Sequence, residues 1–212
     1  AITFVYAAFR LPTLPSRGKF SVRKLPELLK QQGIVGLYIF TLLISTSFYV
    51  AYSYIEPFFK QVSMLKDSWV TATLMIYGGA GFLGSIVFSK YYNKNRKRFI
   101  TAIVACSSLC LLLLQPCASS LLAIIVVCAL WGMASTAYNV AMQSNIILIT
   151  KPESTAVAMS IFSGIFNLGI GSGAFIGGSI CTHASIAYIG YAGAVLGFIG
   201  LIYWMKRLGD RV

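Results

Sequence analysis

The first long apolar stretch of the chain, residues 34–57, carries a regular series of polar and aromatic side chains. Their spacing puts them within an arc of about 80° on a helix, and a polar stripe on an apolar helix should face protein or water. Tyrosine suits a cavity because its ring is apolar and its hydroxyl forms hydrogen bonds. An interfacial aromatic belt would explain Tyr52 but not the earlier residues. We therefore predict that one stripe lines a substrate cavity: Tyr38, Thr41, Ser45, Tyr49, Tyr52 and Glu56.

Glu56 is the one carboxylate within any of the long apolar stretches. An acidic side chain inside a membrane is usually functional, and proton relays are a common use. Glu56 is therefore the candidate for proton coupling. It directly precedes Pro57 near the end of its stretch, so a hydrated carboxylate that ends a helix is the alternative.

A second stripe follows the same spacing between residues 121 and 149. It mixes aromatic, amide and hydroxyl groups, which suits a neutral hydroxyl-rich or amphipathic ligand. Hydrogen bonding between helices is the alternative, above all near Asn145. In the stretch 154–181 one side is dominated by small residues, which favours helix packing, although Asn167 on that side is a cavity candidate. The second stripe consists of Trp131, Ser135, Tyr138, Met142 and Asn145.

Elements able to position these side chains are long apolar helices. The chain of 212 residues is 58% hydrophobic and 10% charged, against about 25% charged in a soluble domain. A helix crosses a bilayer in about 20 apolar residues. These properties predict an all-α polytopic membrane protein. Its six predicted transmembrane helices cover residues 34–57, 69–88, 99–115, 121–149, 154–181 and 185–205.

The basic residues fall mainly in every second gap between these stretches. Lys and Arg number 17 against 5 acidic residues, a net charge of +12. Basic loops lie on the cytoplasmic side of a membrane, so both ends of this multi-pass chain are predicted to be cytoplasmic. The same rule explains the basic segment at 90–98 better than nucleic-acid binding does, and we expect no nucleic-acid partner.

The predicted segments divide the chain into four regions. Residues 1–9 are apolar but too short to span and read as the tail of a preceding transmembrane helix. Residues 10–33 form a basic cytoplasmic connector, 34–205 a six-helix bundle, and 206–212 a cytoplasmic tail. Glycines cluster in the second and the fifth stretch, the middle helices of two sets of three. This pattern is typical of a 3+3 inverted repeat.

Catalytic and cofactor motifs give no support to an enzyme. The spacing Gly79, Gly81, Gly84 matches a dinucleotide fingerprint, but it lies in a membrane helix without the strand and the acid that the motif requires. A phosphate-binding loop is absent from the sequence, as is any cluster of His, Cys and acids with metal-ligand spacing. We expect neither a cofactor nor a metal.

Three segments resemble the C-terminal half of bacterial sugar efflux transporters, in the drug:proton antiporter branch of the major facilitator superfamily. They are Ala51 to Pro57 (AYSYIEP), Tyr77 to Gly84 (YGGAGFLG) and Ser163 to Gly173 (SGIFNLGIGSG). The resemblance implies a twelve-span fold in the bacterial inner membrane, proton-driven efflux of sugars or related small molecules, and an N-terminal six-span half as partner. The family's antiporter signature belongs to that other half.

In this family the first and fourth helices of each half line the cavity, which the resemblance assigns here to the two stripes. It implies Tyr49, Tyr52, Glu56, Trp131, Tyr138 and Asn167 as lining residues. The alternative function is a truncated, non-transporting membrane module or an assembly partner of a full-length transporter.

Overall fold

The computed structural model describes residues 28–29, 31 and 33–209. The predicted tail at 1–9, most of the connector at 10–33 and residues 210–212 lie outside this part. The described residues form helices joined by turns. They comprise α1 (Ile34–Tyr52), α2 (Ile55–Gln61), α3 (Asp67–Tyr91), α4 (Arg96–Leu113), α5 (Leu121–Ile149), α6 (Thr155–His183) and α7 (Ile189–Tyr203), with a 3-10 turn at Ile186–Tyr188 and a π-helical turn at Trp204–Leu208.

Five helical segments are long and apolar enough to cross a membrane: Ile34–Gln61, Asp67–Tyr91, Leu121–Ile149, Thr155–His183 and Ile186–Leu208. The all-helical prediction is therefore confirmed. The third predicted span is the exception. Its helix, α4, starts with Arg96, Lys97 and Arg98, and the apolar remainder is about 22 Å long at 1.5 Å per residue, against about 30 Å of hydrocarbon.

The first predicted span, 34–57, is wrong as a single helix because α1 ends at Tyr52 and α2 begins at Ile55. The amide of Ser53 still donates to the carbonyl of Tyr49 at 3.3 Å, and that of Tyr54 to Ala51 at 3.1 Å. Pro57 has no amide hydrogen, so it fits in the first turn of a new helix, where amides lack helical partners. Glu56 therefore belongs to α2 and not to the helix that carries the tyrosine stripe.

The six longer helices pack in related pairs. The most extensive contacts join α1 to α6 and α3 to α5; the next join α1 to α7 and α4 to α5, and α4 also packs on α7. Exchanging the first three long helices (α1, α3, α4) with the last three (α5, α6, α7) turns each pair into another pair of this set.

Glycines allow the two main pairs to approach closely, as predicted for the glycine-rich stretches. A Cβ atom on Gly173 would lie 2.7 Å from the carbonyl oxygen of Thr46, and one on Gly177 would lie 2.5 Å from that of Val50. In the other pair, a Cβ on Gly84 or Gly132 would overlap the backbone of the facing helix. Close backbone packing of this kind holds helices together in lipid, where apolar burial gives no net drive.

Two helix faces are left uncovered by the described residues. In α6 only 17% of the most apolar window is buried, and in α3 only 28%, against 67% in the segment containing α1. Gly78 and Gly79 on α3, and Gly164 and Gly171 on α6, have no heavy atom within 4 Å of the position a Cβ would take. Small residues on a membrane helix normally mark a packing face.

Candidate functional site

Five aromatic rings from four helices meet near the end of α1. The ring centroids of Tyr52 and Tyr77 are 5.1 Å apart, and Tyr77 lies 5.1 Å from Trp131. The ring of Tyr49 lies 5.7 Å from Tyr52 and 6.1 Å from Phe166, edge to face in both cases. These separations are within the range of favourable aromatic contacts. Together the rings join α1, α3, α5 and α6.

Beside this cluster is a cavity of about 320 Å³, here called the aromatic pocket. Its polar groups are tyrosine, serine and threonine hydroxyls and one amide, and its wall contains no charged residue. It can therefore accept a neutral ligand that stacks on rings and forms a few hydrogen bonds. The lining residues are Phe48, Tyr49, Tyr52, Tyr77, Ser135, Thr136, Asn139, Val140 and Phe166.

Tyr77 is fixed in this wall from two sides. Its hydroxyl shares a hydrogen bond of 3.2 Å with that of Ser135, and its backbone packs directly against Gly132 of α5. Ser135 in turn donates to the carbonyl of Gly132 at 3.0 Å. The absence of a side chain at Gly132 thus lets α3 come close enough for Tyr77 to reach the pocket.

A second cavity of about 290 Å³, here called the amide pocket, lies between α5 and α6. The side-chain nitrogen of Gln143 donates to the side-chain oxygen of Asn139, one helical turn away. The lining residues are Asn139, Gln143, Met159, Phe162, Ser163 and Phe166. Asn139 and Phe166 line both pockets, so the two cavities are neighbours.

Three of the predicted cavity residues come together here. Tyr49 and Tyr52 line the aromatic pocket. Trp131 is fully buried behind the rings of Tyr52 and Tyr77, and its indole nitrogen has no hydrogen-bond partner among the described residues. The second half of the first stripe and the first part of the second stripe therefore share one wall.

The remaining cavity candidates lie elsewhere. The hydroxyl of Tyr38 donates to the carbonyl of Ala158 on α6 at 3.0 Å, which makes it a contact between helices. Ser45 is buried against Gly169 and donates to the carbonyl of Thr41 at 2.7 Å.

Tyr138 is fully buried, with its ring 5.8 Å from that of Phe40 and 5.6 Å from that of Phe48. Asn167 is exposed on α6 and donates to the carbonyl of Ser163 at 2.8 Å. Neither residue lines the aromatic or the amide pocket.

Glu56 lies apart from both pockets. Its carboxylate is 3.0 Å from the Lys60 ammonium, which also lies 3.2 Å from Asp67, and the Glu56 side chain is 58% exposed. These three residues border a separate open cavity of about 370 Å³ between α2 and α3, together with Val70 and Thr71. In the described residues Glu56 is thus a member of an ion-paired surface cluster.

Two pocket residues, Tyr77 and Phe166, were not among the predicted site residues. Both were hidden in segments interpreted as packing faces. Tyr77 precedes Gly81 and Gly84 at helical spacing, and Phe166 likewise precedes Gly169 and Gly173. An aromatic residue that begins a glycine stripe is the signal that would have found them, because it lies on the same face at the point where the close contact ends.

No group of three or more His, Cys, Asp or Glu side chains within residues 28–29, 31 and 33–209 is placed to hold a metal ion. The pockets are instead bordered by rings, hydroxyls and amides. Among sequence families, the model described as Major Facilitator Superfamily matches residues 96–211. The match covers more than half of the chain, and it includes Trp131, Asn139 and Phe166.

Proposed function

Because this chain belongs to the Major Facilitator Superfamily of membrane transporters, we propose that it is the C-terminal six-helix half of a proton-coupled exporter of sugars or related neutral small molecules. The observation that carries the substrate class is the aromatic pocket. Rings that can stack on a sugar ring stand beside hydroxyls and an amide that can hydrogen bond to it. A charged substrate would find no counter-charge there.

The pairing of the helices supports the half-transporter assignment. The contacts of α1 with α6 and of α3 with α5 correspond when the first three long helices are exchanged with the last three. Two such sets of three helices, inverted relative to each other, are expected within one half of a transporter of this fold. The uncovered faces of α3 and α6 then offer surfaces for the N-terminal six-span half. Asn167 would face that half and stays a cavity candidate in the complete protein.

We place the transporter in the bacterial inner membrane with both ends of this chain in the cytoplasm. The basic turn between α3 and α4, with Lys94 and Arg96, and the turn after α5, with Lys151, are on one side under this arrangement. The positive-inside rule puts that side in the cytoplasm. The charged cluster of Glu56, Lys60 and Asp67 is then at the outer surface.

Proton coupling is assigned provisionally to Glu56 within this chain, with the N-terminal half as the other source of coupling groups. A carboxylate that loses its lysine partner on protonation can couple proton binding to a movement of α2 against α3. Glu56→Gln keeps the size of the side chain and removes the charge. We expect the full-length variant to fold and to lose proton-driven export; unchanged proton-coupled export would exclude this role.

Transport itself is tested with everted membrane vesicles that contain the full-length protein. On energisation by respiration, the vesicles should accumulate radiolabelled lactose, and a protonophore should abolish the accumulation. Tyr52→Ala should lower accumulation at least about tenfold by removing a stacking ring, whereas Phe82→Leu, at a lipid-exposed position (78% exposed), should leave it unchanged. Absence of uptake for lactose and for a panel of neutral sugars would favour the non-transporting module instead.

A further inference from the structure

The aromatic pocket and the amide pocket differ in chemistry although they share two residues. The first presents the rings of Tyr49, Tyr52 and Tyr77. The second presents two side-chain amides and the hydroxyl of Ser163 beside Met159 and Phe162. Each volume is near the lower limit of about 300–1,000 Å³ found for small-molecule pockets. One pocket therefore fits a single ring, and both together fit a ligand with two linked parts.

The amide pair is arranged to bind hydroxyl groups. The bond from Gln143 to Asn139 uses one donor of the first amide and one acceptor site of the second. Among the described residues, the amide nitrogen of Asn139 and the amide oxygen of Gln143 have no other partner. A donor therefore stands next to an acceptor, which matches two neighbouring hydroxyls or one amide group of a ligand. The mutual bond fixes both side chains, so less conformational freedom is lost on binding.

Phe166 separates the two cavities. Its ring packs edge to face on Tyr49 at 6.1 Å and lies 6.1 Å from the ring of Phe162. One side of the residue faces the tyrosines and the other faces the amides. A ligand that occupies both pockets has to pass this ring, with one unit on each side.

Resting on the proposed function, we propose that Asn139, Gln143 and Ser163 form a second, hydrogen-bonding subsite, distinct from the aromatic one. The transporter takes neutral ligands with two linked parts. A hydroxyl-rich or amide-bearing part is held by the amide pocket, and a ring stacks on Tyr49, Tyr52 and Tyr77. Affinity for the two parts is then determined by different residues.

The test compares a one-part and a two-part probe on the purified full-length protein by isothermal titration calorimetry. Galactose supplies the hydroxyl-rich unit alone, and phenyl β-galactoside adds a ring. The wild-type protein should bind the phenyl compound at least about tenfold more tightly. Gln143→Leu should weaken both probes about tenfold because each loses hydrogen bonds. Tyr52→Leu should weaken the phenyl compound alone.

Matched controls separate binding from folding. Gln61→Leu makes the same substitution at the exposed end of α2 and should leave both affinities unchanged. Ser163→Ala removes a single hydroxyl from the amide pocket and should weaken both probes even if Gln143→Leu fails to fold. Each variant is first compared with the wild type by size-exclusion elution and melting temperature.

Two results would overturn the inference. If Tyr52→Leu and Gln143→Leu weaken galactose and phenyl β-galactoside by the same factor, the pockets act as one site. If Ser163→Ala and Gln143→Leu change neither affinity, the amide pocket holds no ligand. Both results leave lactose export untouched and so concern the second subsite alone, whereas binding of neither probe together with no lactose export would reject the proposed function as well.

Discussion

Replacing Gly173 by alanine should push α6 away from α1 and displace Tyr49 from the aromatic pocket. The new Cβ atom would lie 2.7 Å from the carbonyl oxygen of Thr46, 2.8 Å from the Cβ of Tyr49 and 2.9 Å from its carbonyl carbon. Carbon atoms in contact are normally about 3.5–4.0 Å apart. These neighbours are backbone atoms or the first atom of a side chain, so no rotamer change can relieve the overlap. The helices have to separate by roughly 0.5–1 Å instead.

The cost of this overlap can be isolated with Gly171→Ala in the same helix. Position 171 has no heavy atom within 4 Å of the new Cβ. Both substitutions gain the same backbone term, about 1 kcal/mol in favour of alanine within a helix. The difference between the two variants is therefore the steric term, about 1–3 kcal/mol for overpacking in a well-packed interface.

The assay is thermal unfolding of the 212-residue chain in detergent, followed by far-UV circular dichroism. One kcal/mol shifts the melting temperature of a chain of this size by about 2–4 °C. We expect Gly173→Ala to melt at least about 2 °C below Gly171→Ala on that scale. Equal melting temperatures, or a higher one for Gly173→Ala, would refute the argument that backbone contact at Gly173 sets the distance between α1 and α6.

Three further predictions concern other parts of the molecule. In the full-length protein Gly171→Ala should lose its neutrality and lower the melting temperature, because the N-terminal half would cover that face of α6; unchanged stability would argue against packing there. Tyr92→Phe removes a hydrogen bond of 2.7 Å to the buried side-chain oxygen of Asn145, so the free energy of unfolding should fall by about 1–3 kcal/mol; no loss would mean that Asn145 finds another partner. In a background without native thiols, Lys94→Cys should react with a membrane-impermeant maleimide from the cytoplasmic side and Met64→Cys from the outer side. The reverse labelling would invert the proposed topology.

The stripe on α1 shows how far the sequence alone could go. Its spacing correctly indicates one polar face on a helix, and the last two tyrosines of that face line the pocket. Periodicity identifies the polar face but not the neighbour that covers it. At Tyr38 and Ser45 that neighbour is α6, whose backbone carbonyl at Ala158 and small residue at Gly169 meet the polar groups. The first half of the stripe is therefore interhelical contact.

The position of Glu56 depends on a local backbone feature that hydropathy does not report. An apolar stretch of this length predicts one helix, yet the chain breaks between Tyr52 and Ile55 and starts again around Pro57. A proline is compatible with the first turn of a helix as well as with a kink in a continuous one. The sequence could not decide between these arrangements, so the carboxylate was assigned to the stripe and lies instead in a cluster with Lys60 and Asp67.

The two glycine-packed helix pairs explain why the cavity lies where it does. Within each pair, α1 with α6 and α3 with α5, backbones approach so closely that no space for a ligand remains between them. Between the pairs the contact is made by large rings, with Tyr49 and Tyr52 on one side and Tyr77 and Trp131 on the other. Rings cannot fill a seam as completely as interlocking backbones can, and the remaining space is the aromatic pocket. Because Gly173 packs on Tyr49 and Gly132 on Tyr77, each close contact also fixes one wall of that pocket. A change in the distance within either pair must therefore change the shape of the pocket.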